Sequence, residues 1–303
     1  MKRLALILFL ALAGIAGAQA TAPQVVAKIR VGTHPCSSTE ANGRLWVTNF
    51  VSDTVSVVDP KRNRVLGKPI KVDSEQCGIV AGAGSVWTHS YGTNRLARIN
   101  PRTRKVKRIR IGYGSYDVLF AADSVWVTNN SDNTVSRVNP ATNRVTATIP
   151  VRDGPGGLTF AAGTVWVGST GGDSVYRIDP ATNAVTRVPI GHTNPVWFSG
   201  DGGNVLWVSN VSDGTVSRID PATGAVTATV RVGTQPVDGT VAPDGLVWIP
   251  NLGDGTITRI DPATATVVGT FRVGPKPFVL TVGFGDVWSP AWGGKKIWRI
   301  HTP

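Results

Sequence analysis

Reactive chemistry in this 303-residue chain has a short supply list: two cysteines, four histidines and two glutamates. Cys36 stands ten residues before Trp46, and Cys77 stands ten before Trp87. Equal offsets from equivalent tryptophans make the two thiols candidates for one another, as a disulfide wherever thiols are oxidised. The rival is a soft metal site using Cys36, Cys77, His34 and His89. No C-x-x-C or H-x-x-x-H spacing supports it. Nucleophilic hydrolysis needs a Ser or Cys beside a His that a carboxylate orients. Ser37, Ser38 and Ser90 lack a G-x-S-x-G elbow, so His89, His192 and Glu75 remain the acid–base set to test. The acidic turns at Asp53, Asp132, Asp213 and Asp254 each offer a lone carboxylate rather than the spaced oxygen set that calcium takes.

The elements that must position these residues come from a tandem repeat. Trp46, Trp87, Trp126, Trp166, Trp207, Trp248 and Trp288 are separated by 41, 39, 40, 41, 41 and 40 residues. Residues 124–150 read SVWVTNNSDNTVSRVNPATNRVTATIP, and residues 205–232 read VLWVSNVSDGTVSRIDPATGAVTATVRV. Each unit holds a strand through the Trp, a polar turn, and a second strand ending in Asp-Pro or Asn-Pro. An Ala-Thr-Asn or Ala-Thr-Gly turn then leads to a third alternating strand. Short apolar segments before the Trp (78–81, 118–122, 158–162) supply a fourth. Four strands per forty residues is one blade of a β-propeller, with the Trp filling the space between blades. The fold class is therefore all-β, a seven-bladed propeller of four-stranded antiparallel blades over 21–303. The last unit, 277–302, lacks an outer strand, and 25–31 has the pattern to supply it. The ring is thus expected to close by the N-terminal strand completing the C-terminal blade.

Residues 45–49 (LWVTN) with 53–59 (DTVSVVD), and the parallel text at 125–140, resemble the YVTN-type propeller repeat of exported microbial proteins. More loosely, the chain is similar to virginiamycin B lyase-like propellers. The resemblance covers 24–303 and concerns the repeat. The lyase-like relatives imply a divalent metal held by His and Glu at the channel face. Here the two glutamates, Glu40 and Glu75, stand in no short spacing with a His. A divalent metal enters only with that alternative; otherwise no cofactor is implied.

Features present in every blade belong to the blade. These include Arg98, Arg137, Arg177, Arg218, Arg259 and Arg299, the acids and amides from Asp59 to Asp261, and the turn residues Asn49, Asn129, Asn210 and Asn251. His301 aligns with the blade acids. Functional candidates are the residues that break the repeat. On a propeller, loops entering the inner strands share one face with turns joining the second and third strands. That puts His34, Phe50, His89, Tyr91, Tyr113, Tyr116, Asp117, His192, Trp197, Asp238, Phe278 and Trp292 around the channel mouth, with Glu75. Aromatics with a few polar groups around a concavity suit a small ligand or a peptide. The same frame puts Cys36 and Cys77 in equal register on neighbouring inner strands, which predicts a bond stitching the first blade to the second.

The first twenty residues read as a cleavable export signal: Lys2 and Arg3, an apolar run over 4–14, then Ala18-Gln19-Ala20. That run is too short for a membrane span, and no later stretch is long enough. With 41% apolar and 17% charged residues, the remainder excludes a disordered or coiled-coil protein. The formal net charge of +12 would draw polyanions. The densest basic run, 95–110, has no interleaved aromatics for base stacking, so edge protection explains it better. The expectation is an exported, monomeric, periplasmic or extracellular protein that binds a small molecule or protein partner at the mouth without catalysis. The alternatives are a metal-assisted lyase or lactone hydrolase at the same mouth, and a polyanion- or nucleic-acid-binding surface.

Overall fold

The computed structural model describes residues 22–200 and 205–302. The proposed export signal lies outside them. Burial grades outward along each blade and explains the composition. The Trp-bearing strands Ser85–Ser90 and Ser124–Asn129 are buried at every position. Blades cover both their faces, so these strands carry continuous rather than alternating apolar text. The outermost strands, such as Arg144–Pro150 and Val226–Arg231, are mostly exposed and hold Thr and Arg.

Seven antiparallel sheets follow one another around the ring. Blade II runs Gln76–Gly82, Ser85–Ser90, Arg95–Ile99 and Val106–Arg110 from channel to rim. Blades III, IV and V repeat it from the inner strands Ser115–Ala121, Pro155–Ala161 and Pro195–Gly200. Blade I, which begins at Pro35–Ala41, has its outer strand broken into Arg64–Val65 and Ile70–Lys71. The inner strands of blades VI and VII are short, Thr240–Val241 and Thr281–Gly283, each preceded by a single bridge at Pro236 or Pro277. The outer strand of blade VII is Gln24–Arg30, antiparallel to Lys296–His301, with Gln24 opposite His301 and Arg30 opposite Lys296.

The seven tryptophans are at most 1% exposed. Trp46 packs on Ile79, Val86 and Ile99 of the following blade, and Trp288 packs on Leu45, Val47 and Val58 across the closure. Five of the seven indole N–H groups reach a carbonyl five residues back, as from Trp87 to Gly82 and from Trp126 to Ala121, and that of Trp248 reaches the Asp244 carboxylate. Arg98, Arg137, Arg177 and Arg299 lie over these rings and reach the next blade. Arg98 sits 4.9 Å from the Trp87 centroid and donates to Pro140 O and Asn143 Oδ1. Arg299 does the same across the closure, from Trp288 to Pro60 O and Asn63. The acids at the strand ends cap their own turns, as Asp220 accepts from the Ala222 N–H. The turn acids Asp132 and Asp254 accept the backbone N–H of Tyr113 and Thr234 in the loops entering the inner strands. A bond between Cys36 and Cys77 joins blades I and II.

Candidate functional site

Register puts the inner strands in layers around the channel. Residues opposite the first buried turn residue are Pro35, Gln76, Ser115, Pro155, Pro195, Pro236 and Pro277. The next layer down holds the disulfide, Tyr116, Gly156, Val196, Val237 and Phe278. Below it lie Ser37, Gly78, Asp117, Gly157, Trp197, Asp238 and Val279. The third layer sets Gly157 between Asp117 and Trp197.

A continuous aromatic arc runs around the channel. Tyr116 of blade III stacks on Trp197 of blade V at 5.2 Å between centroids. Blade IV lies between them and makes the contact possible. A Cβ on Gly157 would fall 2.9 Å from Trp197 Cε3 and 2.8 Å from Val196 O, so any side chain there would displace the indole. The arc continues from Trp197 to Phe278 at 6.0 Å, then to Trp292 at 5.1 Å, both in blade VII or its turns. Trp292 also meets Phe50 at 5.2 Å and His34 at 5.4 Å in blade I. Val196 and Val237 back Trp197, which is buried, while the other members are half-buried.

Two carboxylates face this channel. The oxygens of Asp117 accept the N–H groups of Val118 and Leu158, both at 2.8 Å, tying blade III to blade IV. Burial nevertheless raises its pKa to about 7, the two backbone donors pulling against that rise. No hydrogen bond among the described residues reaches the Asp238 carboxylate. Burial, and then the charge of Asp117, holds its pKa well above the usual range. Tyr116 is pushed up to about 12 by burial and by Asp117 and Tyr91, so its hydroxyl stays a donor.

The other predicted residues fall elsewhere. Tyr91 is exposed beside Tyr116 on the rim. Glu75 lies against Gly92, where a Cβ would meet its Oε2 at 2.9 Å. His192 sits toward the periphery of blade V, its Nδ1 2.9 Å from Asp213 and its Nε2 3.5 Å from Thr229 on the outer strand. Tyr113 is exposed between blades II and III. His89 lies inside the wall at 1% exposure. Gly78 N–H donates to its Nε2, which puts the ring proton on Nδ1, 3.2 Å from Ser115 Oγ. Burial lowers the His89 pKa to about 4, so both nitrogens are committed and the ring is neutral. A strand residue two after a Trp shares its face, which is the signal that places His89 in the wall. Gly157, which leaves room for the Trp197 indole, is the functional position that the repeat text does not mark.

The lyase-like resemblance implies a metal, and the donor set does not fit one. No three His, Cys, Asp or Glu side chains converge among the described residues. The cysteines are bonded together, His89 and His192 already have partners, and Glu75 stands apart from both.

No family model matches the chain, and no curated protein matches it by sequence. Solved structures do match in shape. A streptogramin B lyase structure superposes with a TM-score of 0.80 at 17% identity, over 91% of this chain and 97% of that one. Virginiamycin B lyase from Staphylococcus aureus gives 0.80 at 15% identity, over 91% and 99%. The WD40 propeller domain of Doa1 gives 0.79 at 10% identity, over 93% and 98%. At these identities the likeness defines the class as a seven-bladed β-propeller and carries no activity with it. No helix among the described residues is long and apolar enough to cross a membrane.

Proposed function

We propose that this propeller is an exported binding protein whose channel mouth takes a cationic group, on a small molecule or a peptide side chain. One observation carries the reading: an unbroken aromatic arc from blades III, V, VII and I beside two channel carboxylates. Aromatic faces attract a cation by about 0.5–2 kcal/mol each, more when water is displaced. A cation would also relieve the repulsion between Asp117 and Asp238 and release a proton from the pair. The committed nitrogens of His89 and the distance of His192 from the arc favour binding over acid–base turnover. Export is supported by the disulfide, which belongs to oxidising compartments.

The test uses benzyltrimethylammonium as probe, followed by tryptophan fluorescence. Saturable binding should weaken at least tenfold in Trp292→Ala and in Tyr116→Ala. Asp238→Asn should weaken it too, and the neutral isostere neopentylbenzene should bind less tightly than the cation. Trp197→Ala is avoided, because truncating a buried Trp costs about 3–5 kcal/mol of stability. Absence of binding, or binding indifferent to both ring substitutions, defeats the proposal.

A further inference from the structure

The dense basic run at 95–110 does not act as one edge. Arg104 turns back onto blade I, donating to Leu66 O at 3.0 Å and Lys68 O at 3.3 Å. Lys105 and Lys107 line a separate depression with Ser85 and Asn143. The remaining arginines converge instead. Thr93, Asn94, Arg95, Arg108, Arg110 and Tyr113 enclose a cavity of about 480 Å³ outside the aromatic arc, where blade II meets the loop into blade III.

This cavity is electrostatically incomplete. Arg95 and Arg110 stand directly opposite each other across the antiparallel ladder, a placement that costs stability for like charges. Most other blades put Thr or Ser at the Arg95 position: Thr54, Thr134, Ser174, Thr215 and Thr256. Blade VII has Lys296 opposite Arg30, but its nearby Lys28 is held over the Trp298 ring at 4.4 Å. In blade II a single carboxylate pairs with two of the three guanidinium groups. Asp73 lies 2.8 Å from Arg108 Nε and 3.9 Å from Arg95 Nη1. Contact through Nε holds Arg108 in place, and no hydrogen bond among the described residues takes up its terminal nitrogens. Arg110 has no ion pair among the described residues. Even counting Asp132, which accepts the Tyr113 N–H at the lip, the three guanidinium groups outnumber the carboxylates around this polar cavity.

Its lip supplies the second half of a recognition site. The Tyr113 N–H donates to Asp132 at 2.7 Å, and Asn94 Oδ1 accepts the Gly114 N–H at 3.0 Å, so both sides of the loop are anchored. The Tyr113 ring is 56% exposed. A flat ring beside guanidinium forks suits an oxyanion carried on an organic group, since Arg pairs with such oxygens through two parallel N–H bonds.

We propose that this cavity is a binding site for an organic oxyanion ester, with Arg95, Arg108 and Arg110 holding the phosphate or sulfate group and Tyr113 packing on its organic part. The site is separate from the aromatic mouth and does not depend on the reading given for it.

The full mature chain is titrated by calorimetry with phenyl phosphate, phenyl sulfate and inorganic phosphate, at 50 and 150 mM salt. One-to-one binding of an ester is expected, tighter than inorganic phosphate by several-fold, with the tighter ester identifying the group. Arg110→Gln and Arg95→Gln should each lower affinity at least tenfold. Both should melt no lower than the parent, because each removes a like-charge opposition. Tyr113→Ala should erase the preference for ester over inorganic phosphate. Lys107→Gln and Trp292→Ala should leave ester affinity within twofold. Equal losses in Lys107→Gln and Arg110→Gln would mean a diffuse basic field and overturn the proposal, as would no ester binding at millimolar concentration. Loss confined to Trp292→Ala would move the site to the mouth and likewise overturn it.

Discussion

Replacing Asp238 by Asn should make the protein more stable, by a margin that widens as pH rises from 5 to 9. The cost of an ionised carboxylate in this channel can be worked from its neighbour. Asp117 rises from an ordinary 3.8 to about 7 on folding. Each pKa unit corresponds to about 1.4 kcal/mol, so full ionisation of Asp117 costs the fold about 4 kcal/mol before channel water screens it. The sign follows from proton counting. Between pH 3.8 and 7 the folded chain holds a proton that the unfolded chain has lost, so stability falls as pH rises. Below 3.8 both states are protonated and the contribution vanishes. Asp238 is also raised, and the charge of Asp117 adds to the effect of burial. Keeping it protonated in the fold while the unfolded chain ionises therefore works against stability from pH 3.8 upward. Asn has nearly the shape of the protonated acid and breaks no hydrogen bond seen at Asp238. The variant should therefore gain on the parent from pH 3.8 upward, by more at pH 9 than at pH 5. Urea denaturation at both pH values, followed by near-UV circular dichroism, measures this directly. An unchanged difference between pH 5 and pH 9 would refute a coupled pair in the channel. Asp117→Asn is the poorer probe, because its two oxygens accept from two different backbone donors.

Breaking the disulfide in Cys36→Ser/Cys77→Ser frees a 41-residue loop, which the chain-entropy relation puts at about 4 kcal/mol. For a fold of this size that lowers the melting temperature by about 7 °C, and the reduced parent should match the variant. Deleting residues 24–30 strips the outer strand of blade VII and uncovers Ile297 and Ile300; calorimetry should show a clear loss, and unchanged melting would contradict the closure. His89→Ala leaves the buried Gly78 N–H unpaired, costing about 1–3 kcal/mol at pH 7. The parent His89, at about 4 rather than 6.5, gives stability present above pH 6.5 and lost as pH falls toward 4, amounting to about 3 kcal/mol. The variant should lack that portion of the acid slope in denaturant titrations at pH 7 and 4.5.

The architecture was legible because one bulky residue type marks every blade. Indoles at forty-residue steps demand a repeated gap of one size, and few folds offer that. The bond between Cys36 and Cys77 was legible for the same reason, since equal offsets from equivalent tryptophans become equal heights on adjacent strands. The arc was visible only in part. Tyr116, Trp197 and Phe278 could be placed on the mouth from their repeat positions, but the seat of Trp197 beside Tyr116 depends on the missing side chain of Gly157. Absence of a side chain carries no distinctive text. His89 and His192 are where loop-level placement was too coarse. Strand alternation turns His89 into the wall, and the Asp213 carboxylate draws His192 toward the periphery. The basic run looked uniform in sequence because neighbouring residues on a strand point to opposite faces, which divides Arg108 and Arg110 from Lys107.

The tail strand has a mechanical corollary. Gln24–Arg30 belongs to blade VII, yet only five residues separate its end from Cys36, which is covalently fixed to blade II. Load applied at the N-terminus would peel that strand and then stall at the covalent link, before the first blade unravels. A tether at the C-terminus meets no such stop. The oxidised molecule should therefore resist pulling asymmetrically from its two ends, and reduction should abolish the asymmetry.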